Sequence, residues 1–124
     1  MEKDESSSKP LVDENILNFI YEAVDSYAAW DIITYLSMGR EKKVATIEEI
    51  SDSIGRDKND LVPILDNFVE KGYVSQSQRM GKKFFSISQE KEKERKIHDF
   101  VKFSSTREGR LKIIYIITKH RMEH

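Results

Sequence analysis

Cysteine is absent from this 124-residue chain. Disulfides, thiolate metal ligands and thiol redox sensing are therefore excluded. Long apolar runs are lacking as well. The longest, residues 113–117, falls far short of the roughly 18 residues that a membrane-spanning helix needs. No Gly-rich phosphate loop, no nucleophile–base pair and no metal-binding motif occurs, so neither an enzyme nor a cofactor is expected. Self-similarity at periods of about 20–50 residues is missing, which argues against a solenoid. An excess of one charge is missing too: 21 basic and 22 acidic side chains give a net charge of −1. That balance by itself speaks neither for nor against a nucleic-acid partner.

What is present is one domain's worth of material. Hydrophobic residues make up 38% of the chain and charged residues 35%, enough for one modest core under a soluble surface. The charges are unevenly placed. Residues 1–39 carry two basic and eight acidic side chains, a balance of −6. Residues 40–90 carry nine of each, and residues 91–124 carry ten basic and five acidic, a balance of +5. An acidic head and a basic tail attract one another, within one chain or between two. Residues 1–10 are acidic and Ser-rich without an apolar stretch. They read as a disordered lead-in rather than a secretory signal, and a cytoplasmic protein is the expectation.

The hydrophobic periodicity then sets out a series of elements. Over residues 13–25, Ile16, Phe19, Ile20, Ala23 and Val24 recur at helical spacing, and Tyr27 continues the stripe. A second helix is expected over residues 27–38, with Trp30, Ile33 and Leu36 together, Ile32 alongside, and Gly39 as its C′ residue. Thr46-Ile47-Glu48-Glu49 has the form of a capping box, in which Thr46 and Glu49 satisfy each other's amides. It opens a short helix striped by Ile47, Ile50 and Ile54 and ended by Gly55. After a brief turn, a helix over residues 59–71 carries Leu61, Leu65, Phe68 and Val69, and Gly72 stops it. There the period changes from helix to strand. Residues 73–77 and 83–88 alternate about a turn containing Gly81, which is a β-hairpin. Residues 90–96 are a mixed charge run, the simplest reading of which is a solvated helix face. Ile97, Phe100 and Val101 follow as an apolar stripe. Ser105-Thr106-Arg107-Glu108 is a second possible capping box. The segment after it, 106–120, has a β-branched centre that fits a strand, whereas its cap and its basic end fit a helix.

Helix, short helix, tight turn, helix and β-hairpin within some 60 residues spell a winged helix-turn-helix. The expected fold is mainly α with a small β-hairpin wing (α+β), bearing extra N- and C-terminal helices. The resemblance extends to particular residues: Ile32-Ile33-Thr34-Tyr35-Leu36, Thr46-Ile47-Glu48-Glu49-Ile50, Ile54-Gly55, Leu61, Leu65, Phe68, Gly72-Tyr73-Val74 and the strand Lys83-Phe84-Phe85-Ser86-Ile87-Ser88. This stretch resembles the DNA-binding core of the ArsR/MarR-type bacterial and archaeal regulators, over about half the chain. The resemblance implies a transcriptional regulator that binds double-stranded DNA as a homodimer, with the 59–71 helix in the major groove and the wing, 76–84, on the backbone. It places Lys58, Asn59, Val62, Pro63 and Asp66 toward DNA, with Arg79, Lys82 and Lys83 near phosphates or the minor groove and Arg56 adding a backbone contact.

Several side chains depart from that pattern. Asp60, Asp66 and Glu70 would repel phosphates, and Pro63 removes one amide donor. The acidic helix and the apolar Val62–Pro63 pair equally fit a winged-helix protein-interaction module without DNA binding. Tyr21, Tyr27, Trp30 and Tyr35 read as core more readily than as an effector pocket, so a small-molecule effector is left open. His120 and His124 stand at i, i+4, but tetrahedral zinc needs three or four well-held ligands, so no metal is expected. His98, alone in its helix, reads as surface or interface. The layout expected is a lead-in over 1–10, a dimerisation helix over 11–26, the winged helix-turn-helix over 27–88 and a helical, dimerising segment over 89–124. The two flanking regions carry apolar stripes that have to be buried somewhere.

Overall fold

The computed structural model describes residues 12–39 and 43–122. The lead-in and His124 lie outside them. Eight elements follow in order: α1 (Glu14–Glu22), α2 (Tyr27–Leu36), α3 (Ile47–Ile54), α4 (Lys58–Glu70), β1 (Val74–Arg79), β2 (Lys82–Ile87), α5 (Lys91–Ser104) and α6 (Arg107–Met122). This is the winged-helix α+β fold, with α2 to α4 as the three-helix unit and β1–β2 as the wing. No helix among the described residues is long and apolar enough to cross a membrane.

Caps set most of the helix ends. The Asp13 carboxylate accepts from the Asn15 amide at 2.7 Å and starts α1. The periodic stripe outlives that helix. Ala23 and Val24 are buried, but α1 ends at Glu22 and the chain restarts on the Ser26 hydroxyl, which accepts from Ala29 at 3.1 Å. Gly39 does not close α2 as expected. Ser37 caps it, and Gly39 takes its left-handed φ of +91° farther on. The Thr46 capping box is complete: the Thr46 hydroxyl accepts from the Glu49 amide at 3.2 Å, and the Glu49 carboxylate accepts from the Thr46 amide at 2.9 Å. The second expected box shifts by one residue. Thr106, not Ser105, accepts from an amide three residues on, that of Gly109, and Glu108 instead pairs with Lys112 at 3.0 Å. Segment 106–120 is helical from Arg107 onward, within α6, with Thr106 capping it. Its isoleucines divide by face, Ile113, Ile116 and Ile117 turning inward at i, i+3, i+4.

One cluster of buried residues joins all of these elements. Leu65 and Phe68 of α4 lie in it with Leu61, alongside Ile32, Ile33 and Leu36 of α2 and Ile50 of α3. Full burial of each such side chain contributes about 1.5–3 kcal/mol. The flanking helices reach the same core. Phe19 of α1 meets the Tyr73 ring edge-on at 5.0 Å and the Phe100 ring of α5 at 5.4 Å. Their main apolar stripes are therefore buried within the chain. What remains outside is a second stripe on α6, where Leu111, Ile114, Tyr115 and Met122 are exposed.

Gly72 turns the chain from α4 into the wing at φ +85°, a left-handed conformation that costs a side chain but not a glycine. The strands pair antiparallel from Val74↔Ile87 to Arg79↔Lys82. Ala45 adds a bridge to Phe85, each amide donating to the other's carbonyl at 3.0 and 2.8 Å. That bridge anchors the segment entering α3 to the wing.

Candidate nucleic-acid interface

The bridge at Ala45 and the turn at Gly72 bring three pieces to one side of the molecule: the start of α3, the outer face of α4 and the outer half of the wing. They border an open groove of about 870 Å³, with Glu48, Glu49, Val62 and Asp66 on one side and Lys82 and Lys83 on the other. The two strands leave the body as they go. β1 is exposed from Ser75 to Arg79, and Lys82 and Lys83 are exposed in β2.

The α4 side starts with Asp57, whose carboxylate accepts from the Asn59 amide at 2.9 Å. Lys58, Asn59, Asp60, Val62, Pro63 and Asp66 are all exposed, while Leu61 and Leu65 face the core. Pro63 is the sixth residue of the helix and has no N–H to give to the Asn59 carbonyl, so the exposed face of α4 carries a carbonyl without its usual helical donor.

The cations nearest α4 are held by carboxylates. Arg56 Nε and Nη2 both lie 3.0 Å from Asp31 Oδ2 on α2, and its carbonyl accepts from the Ser51 hydroxyl. Arg56 thus ties the α3–α4 turn to α2. Lys58 Nζ lies 3.4 Å from Glu48 Oε2. Glu48 is held below the usual carboxylate range, chiefly by the hydrogen bond from its own backbone amide at the start of α3. The charges of Lys58 and, across the groove, Lys82 add to that effect. Glu48 was not singled out by sequence pattern. The capping box placed it on the first turn of α3, but only the fold sets it between Lys58 and the wing.

The wing turns on Met80 and Gly81, with φ of +52° and +78°. Two central residues at positive φ are the mark of a type I′ hairpin. Arg79 lies over the Phe84 ring, 5.9 Å from its centroid. The residues expected at the interface are therefore divided. Val62, Asp66, Lys82 and Lys83 line the groove, Lys58 reaches it through Glu48, and Asn59, Pro63 and Arg79 are exposed outside its lining, whereas Arg56 is engaged with Asp31.

The other residues marked by the sequence lie away from this groove, with the Tyr27 and Trp30 rings 6.5 Å apart. Trp30 and Tyr35 are half-buried and pack against the core, as expected, whereas Tyr21 and Tyr27 are exposed. Tyr21 lies against the His120 ring at 5.3 Å, Tyr27 shares a hydrogen bond with the Thr118 hydroxyl, Trp30 meets Phe100 at 6.4 Å, and Tyr35 sits under Lys43. The acidic N-terminal part and the basic C-terminal helix thus meet within the chain through aromatic and hydroxyl groups. His98 is exposed beside Asp99, 3.7 Å away. Among the described residues no three His, Cys, Asp or Glu side chains are grouped to hold a metal ion.

No protein-family model matches the sequence, and no curated protein matches it either. Two solved structures are similar in fold. One is a type III plasmid segregation TubR, with a TM-score of 0.54 at 13% identity, covering 73% of this chain and 91% of that one. The other is a type III plasmid segregation TubR mutant, with a TM-score of 0.50 at 11% identity, covering 91% of this chain and 99% of that one. At such identities the likeness is one of fold.

Proposed function

We propose that this protein is a sequence-specific DNA-binding regulator that acts as a homodimer in the cytoplasm, of the kind its resemblance to ArsR/MarR-type proteins implies. The outer face of α4 enters the major groove of double-stranded DNA and the wing lies along the backbone. The observation that carries this reading is the wing itself, a projecting hairpin that presents Arg79, Lys82 and Lys83 beside an exposed helix face. Cations in that position neutralise phosphates, which supplies most of the affinity of such contacts. Asn59 and Val62 are the exposed α4 side chains suited to base edges, by hydrogen bonding to adenine and by contact with a thymine methyl. The similarity in fold to proteins named for plasmid segregation adds support, since a plasmid is DNA.

Dimerisation rests on the outer stripe of α6. Leu111, Tyr115, Thr118 and Met122 follow the alternating spacing of four and three of a helix-pairing seam, with exposed Ile114 beside them. A two-fold partner would cover them and double the wing contacts.

One observation favours a second reading, a protein-interaction module without DNA binding. The two cations flanking α4 are held by Asp31 and Glu48, and the helix face adds Asp60 and Asp66. Selection from a random-sequence duplex library at low and near-physiological salt separates the two. A recovered motif with half-sites about one helical turn apart is the outcome expected of the regulator. No enrichment at either salt, from folded protein, gives the second reading.

A further inference from the structure

Met80 occupies the one wing position where folding alone would not select it. Its φ of +52° lies in the left-handed region, which is disfavoured for a residue with a side chain, and the first centre of a type I′ turn prefers Asn, Asp or Gly. Packing supplies nothing in return, because Met80 is fully exposed at 101%. Its neighbours are cationic: Arg79 precedes it, and Lys82 and Lys83 follow Gly81. A strained backbone carrying an unburied apolar side chain, at the tip of a projecting hairpin, fits a contact made outside the chain.

We infer that Met80 is an apolar wedge, which the wing inserts into the minor groove of bound duplex DNA while Arg79, Lys82 and Lys83 hold the flanking phosphates. The inference rests on the DNA-binding reading above and names the groove and the side chain through which the wing acts. Methionine suits the task. Its unbranched thioether is flexible and polarisable, and side chains of this class enter between base steps and partly unstack them. Pyrimidine–purine steps such as TA unstack most cheaply, so A·T-rich sites containing them are favoured. The cations on both sides match the phosphate rows that border the groove. An apolar tip among cations also suits an anionic membrane surface, but stable anchoring there needs far more buried apolar area than one methionine supplies.

The test compares Met80→Asn and Met80→Leu with the unaltered chain. Asn is the preferred residue at this turn position, so that variant keeps the hairpin and melts no lower than the parent. Leu keeps the apolar bulk. The probes are a short A·T-rich duplex with 2-aminopurine beside a central TA step, a G·C-rich duplex of equal length, and vesicles containing phosphatidylserine. Met80→Asn is expected to weaken binding to the A·T-rich duplex about tenfold, equivalent to losing roughly half the burial of one methionine. It leaves the salt dependence unchanged, because no phosphate contact is lost. The rise in 2-aminopurine emission that unstacking produces disappears with Asn and survives with Leu.

Three results would overturn the wedge. If Met80→Asn binds as the parent does while a Lys82→Ala/Lys83→Ala variant loses salt dependence, the wing lies on the backbone without a wedge, and the DNA-binding reading stands. Failure of the parent to bind either duplex removes both that reading and the wedge. Vesicle binding that depends on Met80, without duplex binding, assigns the tip to a membrane.

Discussion

Replacing Tyr73 by Phe removes one hydroxyl from a ring that is fully buried where α4 passes into the wing. That hydroxyl donates to Glu22 Oε1 at 2.8 Å and so ties the end of α1 to the winged-helix unit. A hydrogen bond to a charged group is worth about 1.5–3 kcal/mol, and the exposure of Glu22 puts this one at the low end, about 1.5 kcal/mol. Burial, followed by the neighbouring Glu22, raises the Tyr73 pKa well above its ordinary value of 10. The folded state therefore keeps its proton where the unfolded chain loses it, and the Tyr73 contribution falls as pH rises above 10. The slope is about 1.4 kcal/mol per pH unit for one proton. The parent is thus expected to be about 1.5 kcal/mol more stable than Tyr73→Phe near neutral pH, and the two converge at roughly pH 11. Urea unfolding followed by circular dichroism across this range measures the difference, and ionisations common to both proteins cancel. A difference that stays constant above pH 10 would refute the argument. So would equal stability at neutral pH.

Other perturbations probe other parts of the molecule. At Gly109 a Cβ would sit 2.8 Å from the Phe103 carbonyl carbon and closer still to its oxygen, so Gly109→Ala should cost about 1–3 kcal/mol in the same unfolding assay by forcing α5 and α6 apart. Removing Lys82 and Lys83 together should flatten the slope of log affinity against log salt by about 3.6 for a dimer in which each of the four lysines holds one phosphate; an unchanged slope takes both off the DNA. Glu48→Gln should steepen the same slope by releasing Lys58 to the backbone, and a loss of binding instead would mean that Glu48 itself contacts the ligand. Leu111→Lys with Met122→Lys should give the mass of one chain in light scattering where the parent gives about twice that, and equal masses would exclude α6 as the dimer seam.

Local chemistry was legible wherever a few neighbouring residues decide the outcome. The Thr46–Glu49 capping box, the helix stop at Gly72 and the apolar stripe through Leu65 and Phe68 each depend on spacing within one or two helical turns, and each is realised in the fold. The order of elements then carried the winged-helix architecture. Where local signals were balanced, the fold decided. Residues 106–120 are β-branched enough for a strand, but α6 forms because Thr106 caps it and because Ile113, Ile116 and Ile117 reach the core together only at helical spacing. Gly39 and the second capping box missed by one or two residues, since helix ends move until side chains beyond them find partners.

The exposure of Lys58, Asn59, Val62, Pro63, Asp66, Lys82 and Lys83 follows from spacing along α4 and the wing, whereas the charge pairing around them does not. Sequence spacing puts Arg56 and Lys58 beside the groove helix, but Asp31 lies 25 positions from Arg56, and Glu48 lies 10 from Lys58. No periodicity within one segment foretells either pairing. The stripes on α1, α5 and α6 were visible as faces requiring burial, whereas which of them the chain covers itself depends on how the helices cross. The sequence alone determined the elements up to α5 and their apolar stripes, because caps, turns and periodicity act over a few residues. Tertiary structure alone decided that α6 is a helix, which charges are neutralised and which apolar stripe remains outside, because each depends on contacts between segments far apart along the chain.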